Sequence, residues 1–185
     1  QQIDLTTGEL VGFEMLARWV SPVRGLISPD DFIPVAEETG MIGDLSMSII
    51  RKAMIEAKNW DPKLTISVNI SPVQLKDPWL AQKIVKLLVE TGFPASSLEV
   101  EITESSLFKN LSLAQSIVGS LKNQGIRIAL DDFGTGYSSL AHLRALPFDR
   151  IKIDRSFVSS MLDNAESAAI VSAIAGLGAS LDVPI

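Results

Sequence analysis

Short apolar runs alternate with longer amphipathic stretches along this chain, and turn residues separate them. The pattern predicts repeated strand-then-helix units with short connections. Thr6-Thr7-Gly8-Glu9 is a turn signal, so residues 2–5 and 10–17 are expected to form a hairpin. Pro29 to Glu37 opens a helix and Asp44 to Trp60 a longer one. Leu64 to Ile70 reads as a strand, and Trp79 to Thr91 as a helix closed by Gly92. Leu98 to Thr103 is the next strand, followed by a helix over Ser112 to Gln124. A strand from Gly125 to Leu130 then ends on Asp131 and Asp132. A short helix from Ser139 to Leu146, a strand from Arg150 to Ile153 and a small-residue helix from Glu166 to Leu181 complete the series. Such alternation implies an α/β fold with a largely parallel sheet covered by helices, in which ligands sit beyond the carboxyl ends of the strands.

Polar residues gather at those strand ends. The strand period puts Glu14, Leu16 and Arg18 on one side. Asn69 ends an apolar strand, residues 99, 101 and 103 share a face with Glu104 just beyond, and Lys152 and Asp154 lie opposite Ile151 and Ile153. Each group has an ordinary structural explanation. Glu14 could pair with Arg18, Asn69 could cap a turn, Glu99 could be a solvated edge charge, and Lys152 could pair with Asp154. The functional alternative is a metal site. Adjacent aspartates at a strand exit supply the hard oxygens that magnesium and manganese prefer, and two such ions would serve phosphodiester hydrolysis. In that reading Glu14 binds metal, Arg18 holds a phosphate through its planar fork of donors, and Lys152 orients water or neutralises phosphate charge.

Composition narrows the choice. At 185 residues, 46% hydrophobic, the chain can bury one substantial core and is expected to be one domain. A net charge of −6 argues against a broad surface for nucleic-acid polymers. The lack of cysteine removes thiol catalysis and zinc–sulfur sites, and with a single histidine, His142, assigned to packing or surface, hydrolytic triads and histidine-rich metal sites are not expected. Trp19, Trp60 and Trp79 read as core or rim residues. Asp132-Phe133-Gly134 imitates a kinase tripeptide, and Gly134-Thr135-Gly136 half a dinucleotide fingerprint. Neither has the companion motifs it needs. No apolar run is long enough to cross a bilayer, so a cytoplasmic domain is expected, a reading compatible with an upstream segment that anchors the parent protein at the inner membrane.

Taken together, six blocks in order resemble the EAL-domain family of cyclic di-GMP phosphodiesterases. They are residues 12–19 (GFEMLARW), 29–37 (PDDFIPVAE), 67–71 (SVNIS), 101–105 (EITES), 131–140 (DDFGTGYSSL) and 152–157 (KIDRSF). The resemblance implies a modified TIM barrel that hydrolyses cyclic di-GMP to linear pGpG with magnesium or manganese, and calcium is expected to inhibit. By motif, Glu14, Asn69, Glu101 and Asp131 resemble metal ligands, and Asp132 a ligand of a second ion. Lys152 resembles the lysine beside the catalytic water, and Leu16, Arg18 and Asp154 lie on the substrate side. Glu104 resembles the glutamate that anchors the loop after Asp131. A homodimer and a neighbouring sensory or GGDEF domain are implied, and a non-catalytic cyclic di-GMP receptor is the alternative.

Met15 departs from the signature, which has alanine there. The resemblance implies that the family's first strand falls before Gln1, and because a closed barrel of this type runs to about 250 residues, the last one or two units are expected to fall outside the chain as well. With them would go a later glutamate and glutamine, leaving the activity of residues 1–185 alone in question.

Overall fold

The computed structural model describes residues 1–107, 110–135 and 146–185. Strand β1 (Gln2–Ile3) pairs antiparallel with β2 (Leu10–Met15), as the turn signal predicted. From β2 onward the main sheet is parallel through β5 (Thr65–Ile70), β6 (Leu98–Thr103), β7 (Arg127–Phe133) and β8 (Arg150–Ile153). A separate two-stranded ribbon, β3 (Trp19–Ser21) with β4 (Gly25–Ile27), turns at residues carrying no Asn-Gly-type signal and was not anticipated.

The helices are α1 (Pro29–Glu38), α2 (Ile42–Ala57), α3 (Leu80–Thr91), α4 (Glu104–Leu107), α5 (Leu111–Asn123), α6 (Arg155–Ser160) and α7 (Ala165–Leu181). Their ends follow local chemistry. The Ser28 hydroxyl accepts from Asp30 N–H ahead of Pro29 at the first helical turn, and Gly92 closes α3 in the left-handed region at φ 66°. Asn110, Asp154 and Asn164 cap the starts of α5, α6 and α7. The short helices α4 and α6 lie below the length that periodicity can detect. The expected helix from Ser139 and the position of His142 lie outside the described residues.

The two faces of the sheet differ sharply. Ile66, Val68, Ile70, Leu98, Val100, Ile102, Ile128, Leu130 and Ile151 form one core with the apolar sides of α2, α3 and α5. The alternate residues Ser67, Asn69, Glu99, Glu101, Ala129, Asp131, Arg150 and Lys152 face the other way. Neighbouring strands lie about 4.8 Å apart, so in a flat sheet β8 would be roughly 19 Å from β2. Lys152 Nζ on β8 is nevertheless 3.6 Å from Glu14 Oε2 on β2. The sheet is therefore curled into a half-barrel trough with its polar face inside. Behind β8, the Pro184 carbonyl accepts from Ile151 N–H at 2.9 Å, so the segment after α7 returns alongside this strand.

One strand boundary departs from expectation in a useful way. β7 runs through Asp131 and Asp132 instead of ending before them. Leu130 pairs with Ile151 and Phe133 with Ile153, so β7 spends one more residue than its partner. That bulge, with Asp132 at φ 54°, returns Phe133 to the apolar core. Strict alternation would have sent the Asp132 carboxylate into the helices.

Candidate active site

The trough holds a charged cluster at the carboxyl ends of its strands. Lys152 Nζ lies 2.7 Å from Glu101 Oε2, 3.3 Å from Asp131 Oδ2 and 3.6 Å from Glu14 Oε2. Asn69 Nδ2 donates to Glu14 Oε1 at 2.9 Å. Three carboxylates from three strands thus converge on the ammonium of a fourth, and Asn69 from a fifth joins them through Glu14. Two of the ordinary explanations are corrected here. Lys152 pairs with the acids of other strands instead of Asp154, which caps α6. Asn69 reaches across to Glu14 instead of capping a turn.

The electrostatics are set by burial and by three carboxylates sharing one lysine. Glu101 is 1% exposed. Desolvation pushes its pKa from 4.5 up to about 7; Lys152 opposes the shift, and the Glu14 and Asp131 charges add to it. For Lys152, desolvation works against the ammonium, but the attraction of Glu101, Asp131 and Glu14 prevails and its pKa is raised. Asp132 is also raised, by desolvation and then by the neighbouring Asp131 and Asp154 charges. Asp154 is lowered by its bonds to Ser156.

The outer residues are arranged differently. β2 ends at Met15, so Leu16 and Arg18 leave the strand period. Arg18 donates from Nη1 to the Ala17 carbonyl at 2.8 Å and makes no ion pair with Glu14, contrary to the simple pairing expectation. Arg18 and Leu16 line a cavity of about 300 Å³ beside Asn69. Two further residues of that cavity have no role assigned from sequence, although Glu37 closes the second of the six blocks. Glu37 accepts from the Ser71 hydroxyl, and Gln74 Oε1 accepts from Ser71 N–H at 3.1 Å, which fixes the loop that follows Asn69. Behind the aspartates, Glu104 Oε2 accepts from Gly134 N–H at 3.0 Å and ties the loop after β7 to α4. Trp60 meets Phe13 edge-on and Trp19 meets Phe32, each still partly open to solvent, and Trp79 is the most exposed of the three.

The donor set suits a hard cation. All the converging acceptors are oxygens, and Glu101 Oε1 is buried without a hydrogen-bond partner. Three acids against one ammonium leave an excess of acid, two negative charges once all three are ionised. Among the described residues no three acids stand as a ready-made metal cage, because the Lys152 ammonium lies between them.

The EAL domain family matches residues 1–185, the full chain. The chain belongs to the EAL-domain family. This EAL domain is 50% identical over 178 residues, 96% of its length, to an uncharacterized signaling protein of Caulobacter vibrioides, of which it covers 22%. It is 36% identical over 183 residues to a cyclic di-GMP phosphodiesterase of Pseudomonas aeruginosa, covering 97% of this chain and 31% of that protein. Among solved structures, the MucR phosphodiesterase in complex with c-di-GMP superposes with a TM-score of 0.92 at 36% identity, over 95% of this chain and 73% of that one. The agreement extends the half-barrel described above to the TIM-barrel-like fold of its neighbours. The chain spans about a fifth to a third of the length of the curated relatives it matches.

Proposed function

We propose that this EAL domain is the phosphodiesterase module of a longer bacterial signalling protein and hydrolyses cyclic di-GMP to linear pGpG with magnesium or manganese. The observation that carries the reading is the convergence of Glu14, Glu101 and Asp131, with Asn69, on one point at the carboxyl end of the trough. The names of its relatives support the substrate. Glu14, Asn69, Glu101 and Asp131 would hold one ion and Asp132 would share a second. When bound, such a pair supplies an activated water and steadies the departing oxygen.

The chain's own residues do the rest. Lys152, its pKa raised, stays an ammonium at neutral pH, so it acts as a fixed positive donor toward the phosphate or the attacking water and not as a base. Arg18, free of any carboxylate partner among the described residues, offers its guanidinium to a phosphate, with Leu16 as apolar wall and Asp154 beside Asp132. Glu104 positions the loop after Asp132 through Gly134.

A neighbouring cyclase or sensory domain and a homodimer belong to the same proposal; MucR, 36% identical over 182 residues, is described as a bifunctional cyclase and phosphodiesterase. No helix among the described residues is long and apolar enough to cross a membrane, and a cytoplasmic location belongs to the same proposal. The test is turnover of cyclic di-GMP by the full-length protein, followed by chromatography of the product. Magnesium or manganese should yield pGpG, and calcium should support binding alone. Asp131→Ala should lower turnover about a thousandfold, roughly 4 kcal/mol of barrier, without loss of fold. Binding without turnover in magnesium and manganese would assign a receptor instead.

A further inference from the structure

Directly beneath the acid cluster lies a second polar tier that the proposed reaction does not use. Each strand repeats inward every two residues, about 7 Å along the strand. Glu14 therefore stands above Gly12, Asn69 above Ser67, Glu101 above Glu99, and Lys152 above Arg150. In this lower tier Gln2 Nε2 donates to Ser67 Oγ at 3.0 Å, Ser67 Oγ donates to Glu99 Oε1 at 2.9 Å, and Arg150 Nε lies 3.8 Å from Glu99 Oε2. Glu99 is 1% exposed and Ser67 fully buried, so the edge-charge explanation of Glu99 is wrong: it sits on a central strand.

Small residues make the arrangement possible. β7 contributes Ala129 to this tier, paired in register with Arg150, which leaves the guanidinium room to reach across to β6. Gly12 is equally constrained, since a Cβ there would stand 2.5 Å from Thr65 Oγ1 and 3.0 Å from Gln2 Oε1. The lower tier repeats the upper cation-to-acid contact with its charges balanced one to one. The upper tier keeps its excess of acid.

We infer that Glu99 and Arg150 are positioning residues that hold the charge under the site neutral, so that the acid excess above them stays available to a divalent cation. The inference rests on the cation-binding reading of the upper tier. Glu99 offsets Arg150; without it a half-buried guanidinium, its side chain 29% exposed, would face the cation unpaired from one strand repeat below. Ser67 and Gln2 fix the Glu99 carboxylate in that role.

The experiment is calorimetric titration of Mn2+ into the full-length protein and its Glu99→Gln, Arg150→Met and Glu99→Gln/Arg150→Met variants, each first shown to melt cooperatively. Glu99→Gln should weaken Mn2+ binding about tenfold, and the double variant should return to within about threefold of the parent. A purely structural role would instead leave the double variant worse than either single one. Where Glu99→Gln does not fold, Arg150→Met carries the test: its affinity should be equal to the parent's or up to about threefold tighter, and weaker binding would overturn the inference. Parent-like affinity in Glu99→Gln, or a double variant no better than it, overturns the charge-balancing role while leaving the phosphodiesterase reading intact. A parent protein that takes up no Mn2+ overturns both.

Discussion

Two lysine–carboxylate pairs in this protein have the same 2.7 Å contact and opposite consequences. Lys83 with Asp77 lies on the surface near the start of α3, with side chains 56% and 30% exposed; Lys152 with Glu101 lies in the trough, at 23% and 0%. The Asp77 pKa is lowered, chiefly by the hydrogen bond from Lys83. The Glu101 pKa is raised to about 7 because desolvation outweighs Lys152 and two further acids crowd the same ammonium. Distance alone therefore says little about what an ion pair does. On the surface the lysine stabilises its acid; in the trough it only partly relieves one that is short of positive charge. A shortage of that kind is what a cation site requires.

The largest effect should come from removing the buried lysine. Lys152→Met leaves Glu14, Glu101 and Asp131 without their shared cation, and breaking a buried pair in this way costs about 3–5 kcal/mol. The metal-free variant should lose that much stability at pH 8, measured by denaturant unfolding. Millimolar Mn2+ should restore most of it, because an added ion takes up the charge the lysine held. Turnover of cyclic di-GMP should stay low, about a hundredfold down, since the fixed ammonium is absent. A variant whose stability responds no more to Mn2+ than the parent's would separate the acid cluster from cation binding.

The pH dependence of the two pairs should differ in sign. Glu101 binds its proton more tightly folded than unfolded. Its contribution to stability is thus complete below about 4.5 and lost as pH rises through about 7. The metal-free protein should lose roughly 3 kcal/mol from this group between pH 5 and 8, and Glu101→Gln should flatten that slope. Asp77 behaves the other way. Its folded pKa lies below 3.8, so its contribution is present above that value and lost as pH falls through the lower one. Asp77→Asn should alter only the acid limb. Unfolding curves at closely spaced pH values distinguish the two limbs in one series.

Much of this contrast was legible in the chain before any coordinates. Alternation in Leu98-Glu99-Val100-Glu101-Ile102 assigns faces, because a residue's side of a strand depends on parity alone. The expected strands at Leu98–Thr103 and Arg150–Ile153 coincide with the observed ones, and the strand expected over 64–70 begins one residue later. The bulge at Asp132 was not legible, since a single left-handed residue breaks parity without altering composition. Partners also escape a linear reading. Lys152 faces the same side as Asp154 in sequence, but the curl of the sheet offers it Glu101, Asp131 and Glu14 instead. The Glu37–Ser71 pair was missed for the same reason, as its hydrogen bond joins α1 to the loop after β5 across the fold, whereas Gln74 accepts from Ser71 N–H within that loop.

The smallest effect should come from the surface pair, and it sharpens the comparison most cheaply. Lys83→Met removes a contact as short as that of Lys152, yet exposed pairs are worth only about 0.2–1 kcal/mol because water and salt already screen them. At pH 7 the variant should unfold within about 0.5 kcal/mol of the parent, and the gap should close in 1 M salt, where the screening length is about 3 Å. The Mn2+ response, by contrast, should be the same in Lys83→Met as in the parent at every salt concentration. A surface variant that altered that response would mean that net charge, and not the buried geometry of the trough, governs cation uptake.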